Sequence, residues 1–292
     1  MKTFKKIIVA TDFSDNAKSA YRYARQLATR FGASIEVVNF FEIPINPGNP
    51  NYMDMMPTFA QLEEAANNRL ARFVNENENG EGTTIVASRI KTTFKTQAGF
   101  ATDGLIEMSK DPSVDLIILG STGEHGWIDK VFGSIAVTVS REAFCPVMLI
   151  PHGAEYRGIH HIVYTSSFES AQPTEIKVAL DFAKYFASAI HFVHVVTQPD
   201  DLGISEKLLF RRLVSDEHTK VPFTVENIHA FTAVEGINQY ILNHDVDMLV
   251  TVTQHRTFWE KLMHLSTTKE LAWDIHLPLL VLHRDDTSQP PA

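Results

Sequence analysis

The sequence has little of several features that mark particular classes of protein. It contains one cysteine, Cys145, which excludes an intramolecular disulfide framework. Its continuous apolar runs, such as 116–119 and 279–282, are far shorter than the roughly 20 residues that cross a bilayer. Residues 1–6 show no charged-then-apolar leader and run directly into an expected strand. These absences favour a cytoplasmic protein that does not enter a membrane.

The chain also lacks the basic character of a general nucleic-acid binder. Its formal net charge is −9, whereas a protein that neutralises many phosphates needs a basic surface. The hydrophobic fraction of 44% and the charged fraction of 21% are typical of globular proteins. At 292 residues the chain is long enough for two domains of ordinary size.

Two common nucleotide-binding motifs are missing, since neither G-x-x-x-x-G-K-[ST] nor G-x-G-x-x-G occurs. What is present is Gly120-Ser121-Thr122-Gly123, followed after nine residues by Gly133-Ser134. This segment lies between a predicted buried strand, 115–119, and a predicted helix, 134–143, with Ser134 placed to cap the helix. Because a helix start attracts anions, one interpretation is that this segment binds a phosphate. The alternative is a glycine-containing loop that only turns the chain.

The two halves of the chain resemble each other. Residues 7–13 match 162–168 at an offset of 155 residues. Farther along, Asp115, Trp127, Ser134 and Pro146 match Asp247, Trp259, Ser266 and Pro278 at an offset of 132, without a gap. The change of offset indicates a longer segment in the first half, roughly 42–82. We interpret the sequence as an internal duplication, joined by the short linker 151–157.

Each half is predicted to alternate strands and helices, which gives a doubly wound parallel sheet with helices on both faces. The predicted strands are 6–10, 34–41, 86–96, 115–119 and 147–150, then 161–165, 189–196, 223–230, 247–252 and 279–283. The predicted helices of the first half are 15–31, 59–77, 102–110 and 134–143. Ligands of such sheets bind beyond the carboxyl ends of the strands, where Asp12 and Gly120 are expected.

The opening segment 8–14, Ile-Val-Ala-Thr-Asp-Phe-Ser, and the pattern Gly120-x2-Gly123-x9-Gly133-Ser134 resemble those of the universal stress proteins. The chain is similar to a tandem member, strongly over 1–151 and more weakly over 158–285. The resemblance implies two α/β domains, each with a Rossmann-like five-stranded sheet of the adenine nucleotide alpha-hydrolase type. It also implies pairing of the last strands of the two halves as an internal pseudo-dimer, and a homodimer of two chains through the last-strand edges.

The resemblance further implies a nucleotide site in residues 1–151. Its ligand is ATP, with or without Mg, or another adenine nucleotide. Asp12 meets the ribose, Ala10 and Thr11 lie beside the adenine, and Phe40 contacts the base. The remaining residues line the pocket or surround the phosphates: Leu119, Gly120, Thr122, Gly123, Gly133, Ser134, Ile135 and Ala136. Ala136 departs from the family, in which a hydroxyl is common at this position, and the loss of that contact weakens binding by about 1 kcal/mol.

The second half does not keep these residues. Ser167, Val252, His255 and Leu265 stand where the first half has Asp12, Gly120, Gly123 and Gly133, and only Ser266 is retained. Because side chains at those positions fill the space that a triphosphate needs, we expect this half not to bind ATP.

Histidine is concentrated in the second half, with eleven of thirteen between His160 and His283. A metal site there is one interpretation, but the pair His191 and His194 points to opposite faces of a strand, and scattered core or surface histidines are the alternative. His125 either touches a phosphate or is a solvated loop residue. Cys145 fits a small buried position better than a reactive thiol.

The sequence leaves three functional hypotheses open. The first is a stress-response regulatory protein that binds ATP in its N-terminal domain. The second is a slow ATPase or autophosphorylating enzyme, although only Asp12 and His125 offer themselves as catalytic groups and we assign no catalytic residue. The third is a nucleotide-free interaction scaffold. The choice among ATP, ADP and AMP, the partner and any ligand of the second half are not determined by the sequence.

Overall fold

Strands and helices alternate along the residues that this computed structural model describes, which are 4–43, 57–79, 90–121, 133–165, 173–197, 211, 220–252 and 277–283. The strands are β1 (Lys6–Ala10), β2 (Ser34–Phe41), β3 (Thr92–Ala98), β4 (Leu116–Gly120), β5 (Val147–Ile150), β6 (His161–Thr165), β7 (Ala189–Val196), β8 (Phe223–His229), β9 (Met248–Val252) and β10 (Leu279–Leu282). The helices are α1 (Asp15–Phe31), α2 (Phe59–Asn79), α3 (Ala101–Ser109), α4 (Ser134–Glu142), α5 (Pro173–Phe186) and α6 (Ala233–Asn243).

The strands form one sheet in the order β3-β2-β1-β4-β5-β10-β9-β6-β7-β8. Within each half all neighbours are parallel, and the order reverses between β1 and β4 and again between β6 and β9. The predicted doubly wound α/β fold is therefore confirmed. The reversal between β1 and β4 is the position where such sheets bind ligands.

The two five-stranded halves are joined through their last strands. β5 and β10 pair antiparallel, with Met148 opposite Leu280. Each of these strands also has a parallel neighbour in its own half, so both of its hydrogen-bonding edges are occupied. The expected internal pairing of the halves is thus present. The predicted contact of a homodimer through the last-strand edges is wrong, because neither strand keeps a free edge for a second chain.

Two equivalent carboxylates anchor the first strand of each half. Asp115 Oδ2 accepts hydrogen bonds from the backbone N–H groups of Lys5 and Lys6, at 2.7 and 3.1 Å. Asp247 Oδ2 accepts the same bonds from His160 and His161, at 2.7 and 2.9 Å. The two halves therefore repeat a side-chain contact as well as a strand order.

The two faces of the sheet carry separate cores. One face packs against α1, α2 and α5, and the other packs against α3, α4 and α6. On the first face the halves meet in an aromatic cluster in which Phe4 and Phe31 contact Phe182 at centroid distances of 5.7 and 5.5 Å. Among the helices described here, none is long and apolar enough to cross a membrane.

Local sequence explains where the helices around the proposed site begin and end. Ser14 caps α1 by accepting from Ala17 N–H, and Gly32 ends α1 in the left-handed conformation, with φ of 67°. Thr58 and Gln61 form a reciprocal capping box at the start of α2, since the Thr58 N–H donates to Gln61 Oε1 at 2.8 Å and the Gln61 N–H to Thr58 Oγ1 at 3.3 Å.

Most predicted boundaries agree with the structure to within one or two residues, which is the usual scatter of element ends. The largest difference concerns the third strand, which is predicted over 86–96 and observed as Thr92–Ala98. Residues 86–89 lie outside the described part of the chain. Residues 90 and 91 precede the strand, because pairing of β3 with β2 begins at Thr92 opposite Ile35.

Candidate nucleotide-binding site

The carboxyl ends of β1 and β4 lie side by side. Val9 pairs with Ile118 in the parallel register of these two strands. Continuing that register places Asp12, which follows β1, level with Ser121, which follows β4. The topology therefore brings the two predicted ligand-binding segments to the same point of the sheet edge.

A backbone hydrogen bond closes the glycine-containing loop. The N–H of Gly133 donates to the carbonyl oxygen of Ser121 at 2.6 Å, and the Ser121 N–H donates to Ile150 O at 2.8 Å. The start of α4 is thereby held at the end of β4, beside β1. Sequence reasoning treated Ser121 only as a spacer between glycines, and no sequence signal points to this role of its carbonyl group.

The first turn of α4 begins next to the end of β4, at the sheet edge. Its N-cap is Gly133 and not Ser134, which corrects the prediction that Ser134 caps the helix. Gly133 has extended φ and ψ, and within the described residues no side chain caps this helix. Ser134 and Ile135 are exposed. The N–H groups of such a turn, with the positive end of the helix dipole, form a favourable position for an anion.

The Asp12 loop is ordered by its own side chains. The Phe13 N–H donates to Thr11 Oγ1 and the Ser14 N–H donates to Asp12 Oδ1, both at 3.0 Å. The buried amide of Asn39 donates from Nδ2 to Thr11 O at 2.8 Å. Asn39 was not predicted as a site residue from the sequence. Its polarity in a buried strand position was the signal that could have identified it.

Phe13 adopts a backbone conformation that is uncommon for a non-glycine residue, with φ of 71°. Its ring packs edge-on against Phe73 of α2, with centroids 5.7 Å apart. The guanidinium carbon of Arg69, also on α2, lies 4.1 Å from the centre of the Phe13 ring. Helix α2 therefore contacts the loop that carries Asp12, and these contacts hold Phe13 in its left-handed conformation.

Gly120 makes a close approach between β4 and α1 possible. A Cβ atom at this position would lie 3.0 Å from both Cγ and Nδ2 of the buried Asn16 side chain, and 3.3 Å from the Asn16 carbonyl carbon. In the second half Val252 occupies the equivalent position, and its side chain is buried in the core between the sheet and its helices. The residue at the place of Asn16 there is Ala171, so the sequence exchanges both members of the contact.

Four of the predicted residues share the face of the sheet that α3 and α4 cover. Leu119 and Ala136 are buried in that core, and Ala10 and Phe40 pack against it. The methyl group of Ala136 therefore faces the core, and only the backbone of this residue is available to a ligand at the helix start. Together these four residues form an apolar wall next to the Asp12 loop and the first turn of α4.

The structure thus brings Ala10, Thr11, Asp12, Phe40, Leu119, Gly120 and the first turn of α4 to one edge of the sheet. Thr122, Gly123 and His125 lie outside the described residues. The same holds for Ser167, His255, Leu265 and Ser266 of the second half. The roles assigned to all of these residues in nucleotide binding stay predictions.

Two histidines of the second half, His161 and His191, lie together in a way that sequence spacing did not predict. Nδ1 of His161 lies 3.3 Å from Nε2 of His191, and Nδ1 of His191 lies 3.0 Å from Thr224 Oγ1. Thr224 donates in turn to Glu226 Oε1 at 2.9 Å. Burial and the neighbouring His161 lower the pKa of His191. In the part of the chain described here, no group of three or more His, Cys, Asp or Glu side chains could hold a metal ion.

The comparison with known families decides the identity of the chain. The model of the universal stress protein family matches residues 3–151. The chain belongs to the universal stress protein family. The match covers the half in which the glycine pattern and the Asp12 motif occur, and it confirms the resemblance inferred from those motifs.

Two relatives agree with this assignment, and a solved structure shares the fold. A universal stress protein of Methanocaldococcus jannaschii is 25% identical over 147 residues, which are 50% of this chain and 82% of the relative. A universal stress protein of Thermus aquaticus is 32% identical over 148 residues, which are 50% of this chain and 98% of the relative. The crystal structure of a universal stress protein from Archaeoglobus fulgidus shares the fold over 97% of this chain and 100% of its own, with a TM-score of 0.68 at 14% identity.

Proposed function

We propose that residues 1–151 form a domain that binds ATP or another adenine nucleotide, and that residues 158–285 form a second domain that does not. The observation that carries this proposal is the hydrogen bond from Gly133 N–H to Ser121 O. It fixes a helix start that no described side chain caps beside the carboxyl end of β4, where a phosphate group is favoured. The neighbouring strand end supplies the Asp12 carboxylate, which suits the hydroxyl groups of a ribose.

The separate anion-binding, acidic and apolar parts of this edge support a nucleotide in preference to a simple anion. The first turn of α4 offers backbone N–H groups and a positive dipole end, whereas Asp12 is acidic and would repel a phosphate placed against it. An apolar wall that includes Phe40 and Leu119 lies on the same edge. A ligand with separate anionic, hydroxylated and apolar parts fits this arrangement better than inorganic phosphate does.

The second domain is proposed to be a packing partner. Val252 fills the place of Gly120 with a buried side chain. The last strand of the second domain, β10, joins the sheet of the first domain by pairing with β5. A homodimer of two chains remains part of the proposal, through a surface other than the last-strand edges.

Magnesium is proposed to enter with the triphosphate and not to be held by a protein ligand set. Asp12 is the one acidic side chain among the residues that we assign to the site, and it is assigned to the ribose, so phosphate oxygens and water are left as the ligands of Mg²⁺. A catalytic role is not part of the proposal, because no positioned general base accompanies Asp12 among the described residues.

We propose that nucleotide binding serves regulation during stress, in the cytoplasm, where the buried thiol of Cys145 stays reduced.

Calorimetric titration with ATP tests this proposal. Asp12→Ala should weaken binding by at least tenfold, because the loss removes a charged acceptor of ribose hydrogen bonds. Asp15→Ala is the matched control. Asp15 is an exposed carboxylate three residues away, and it forms an ion pair with Lys18 at 2.7 Å. Equal effects of the two variants, or no heat of ATP binding in the wild-type protein, would contradict the proposal.

A further inference from the structure

Phe40 occupies the space directly above Gly104. A Cβ atom built on Gly104 would lie 2.0 Å from Cε1 of the Phe40 ring and 2.6 Å from its Cζ. Real atoms do not approach so closely, so no side chain fits at position 104 while the ring stays where it is. Gly104 lies inside α3, where glycine is less favourable than alanine by about 1 kcal/mol. Its backbone needs no left-handed conformation, so the ring explains the glycine.

The Phe40 ring stands at the edge where the nucleotide is proposed to bind. Ala10 pairs with Val38, so Phe40, two residues farther along β2, is level with Asp12. Phe40 packs on the same face of the sheet as Ala10 and Leu119. One edge of its ring rests on α3, and the side chain as a whole is only half-buried. The remaining ring surface can therefore contact a ligand.

The second half contains the same glycine contact without the aromatic ring. Gly236 of α6 is equivalent to Gly104, and Val195 of β7 is equivalent to Phe40. A Cβ atom on Gly236 would lie 2.6 Å from Cγ1 of Val195. Close packing of the second strand on this helix is thus common to both halves. The aromatic ring belongs to the first half alone, which is the half proposed to bind the nucleotide.

We infer that Gly104 is a specificity-determining residue, which lets Phe40 lie against α3 and form one wall of a slot for a planar purine base. This inference rests on the proposed function. Bases stack favourably on aromatic side chains, and a purine offers more surface for stacking than a pyrimidine. The methyl group of an alanine at position 104 displaces the ring into the slot. Gly104 acts through Phe40 and is a positioning residue.

The test compares ATP and UTP affinities, measured calorimetrically, in wild type, Gly104→Ala and the matched control Gly236→Ala. Both substitutions add one methyl group at the same position of equivalent helices. In Gly104→Ala we expect ATP affinity to fall roughly tenfold and the preference for ATP over UTP to shrink, because base stacking is lost. In Gly236→Ala we expect the affinities and the preference to stay at wild-type values.

Two further variants keep the test decisive if Gly104→Ala does not fold. Phe40→Leu removes the ring and leaves Gly104 intact, and Phe40→Ala combined with Gly104→Ala removes the clash. Both should fold and show the reduced preference for ATP. An unchanged ratio of ATP to UTP affinity in these variants would overturn the inference alone. A wild-type protein that binds neither nucleotide overturns the proposed function, and the inference with it.

Discussion

The side chain of Asn39 donates a hydrogen bond of 2.8 Å to the carbonyl oxygen of Thr11, and both residues are buried. The bond joins the carboxyl end of β2 to the residue that precedes Asp12. The Thr11 N–H donates to Val38 O at 2.9 Å, so β2 holds this residue through both its backbone and a side chain. Asp12 therefore leaves the sheet in a direction that β2 fixes.

Asn39→Ala should destabilise the protein and weaken ATP binding together. The substitution leaves a buried carbonyl oxygen without its donor, which costs about 1–3 kcal/mol. Asn39→Asp should behave similarly, because a carboxylate cannot donate the bond. Urea unfolding and ATP titration measure the two effects. His194→Ala, at the equivalent position of the second half, should leave ATP affinity unchanged; a loss of affinity in this variant would argue against a local role of Asn39.

Gly120→Val should abolish ATP binding and destabilise the first half. It introduces the residue that the second half carries, and its Cβ would already lie 3.0 Å from the Asn16 side chain. Such overpacking costs about 1–3 kcal/mol. Adding Asn16→Ala, which completes the exchange seen in the second half, should recover stability measured by thermal unfolding without recovering binding. Recovery of ATP binding in the double variant would show that position 120 can carry a side chain beside the nucleotide.

The hydrogen bonds around His191 define its protonation state. Thr224 donates its hydroxyl proton to Glu226, so its oxygen accepts from the Nδ1–H of His191. Neutral His191 then accepts from His161 at Nε2. Tyr240 of α6 also donates to Glu226, at 3.2 Å, and burial together with the Glu226 carboxylate raises the pKa of Tyr240 to about 12. A proton added to His191 removes the lone pair that the His161 bond requires.

Stability should therefore fall on acidification through this pair. Because the pKa of His191 is lowered in the folded state, the unfolded chain binds its proton first. The contribution is fully present above about pH 6.5, the unfolded value, and is lost as the pH falls from there through the lower folded pKa. Urea unfolding between pH 7.5 and 5 measures this loss. His191→Gln should flatten the dependence, and His229→Gln, an exposed control, should not; an unchanged slope in His191→Gln would contradict the assignment.

The β5–β10 junction should be among the most protected parts of the sheet in hydrogen exchange. Both strands have neighbours on both edges and are fully buried, whereas β3 and β8 are the outer strands. Amides of 147–150 and 279–282 should exchange only through large-scale unfolding, and those of the outer strands sooner. Rapid exchange of β10 together with slow exchange of β8 would contradict a continuous ten-stranded sheet.

The sequence was informative where a local pattern has a single structural meaning. Helix α1, from Asp15 to Phe31, was predicted to the residue, and in the structure Ser14 caps its start and Gly32 ends it. Strand β4 was found as a short apolar run. The Asp12 and Gly120 segments were expected at one sheet edge because the alternation of elements fixes the topology.

Contacts between side chains distant in the chain were not predictable in this way. Phe13 at positive φ, the fit of Phe40 over Gly104 and the His161–His191 pair each depend on two elements packed in a particular register. Periodicity describes one element at a time and carries no information on such pairs. The prediction of the α4 N-cap was wrong for a related reason. A serine beside a glycine leaves two candidates for the N-cap residue.

The number of nucleotides that one chain binds is the most direct test of the account. Native mass spectrometry of the intact protein with excess ATP gives this number, and Asp12→Ala identifies the half responsible. The account predicts one ATP per chain in the wild type and, because the affinity is at least tenfold lower, a clearly reduced occupancy in Asp12→Ala. Two per chain, or one that persists in Asp12→Ala, would contradict the assignment of the site to residues 1–151, and none in the wild type would contradict nucleotide binding itself.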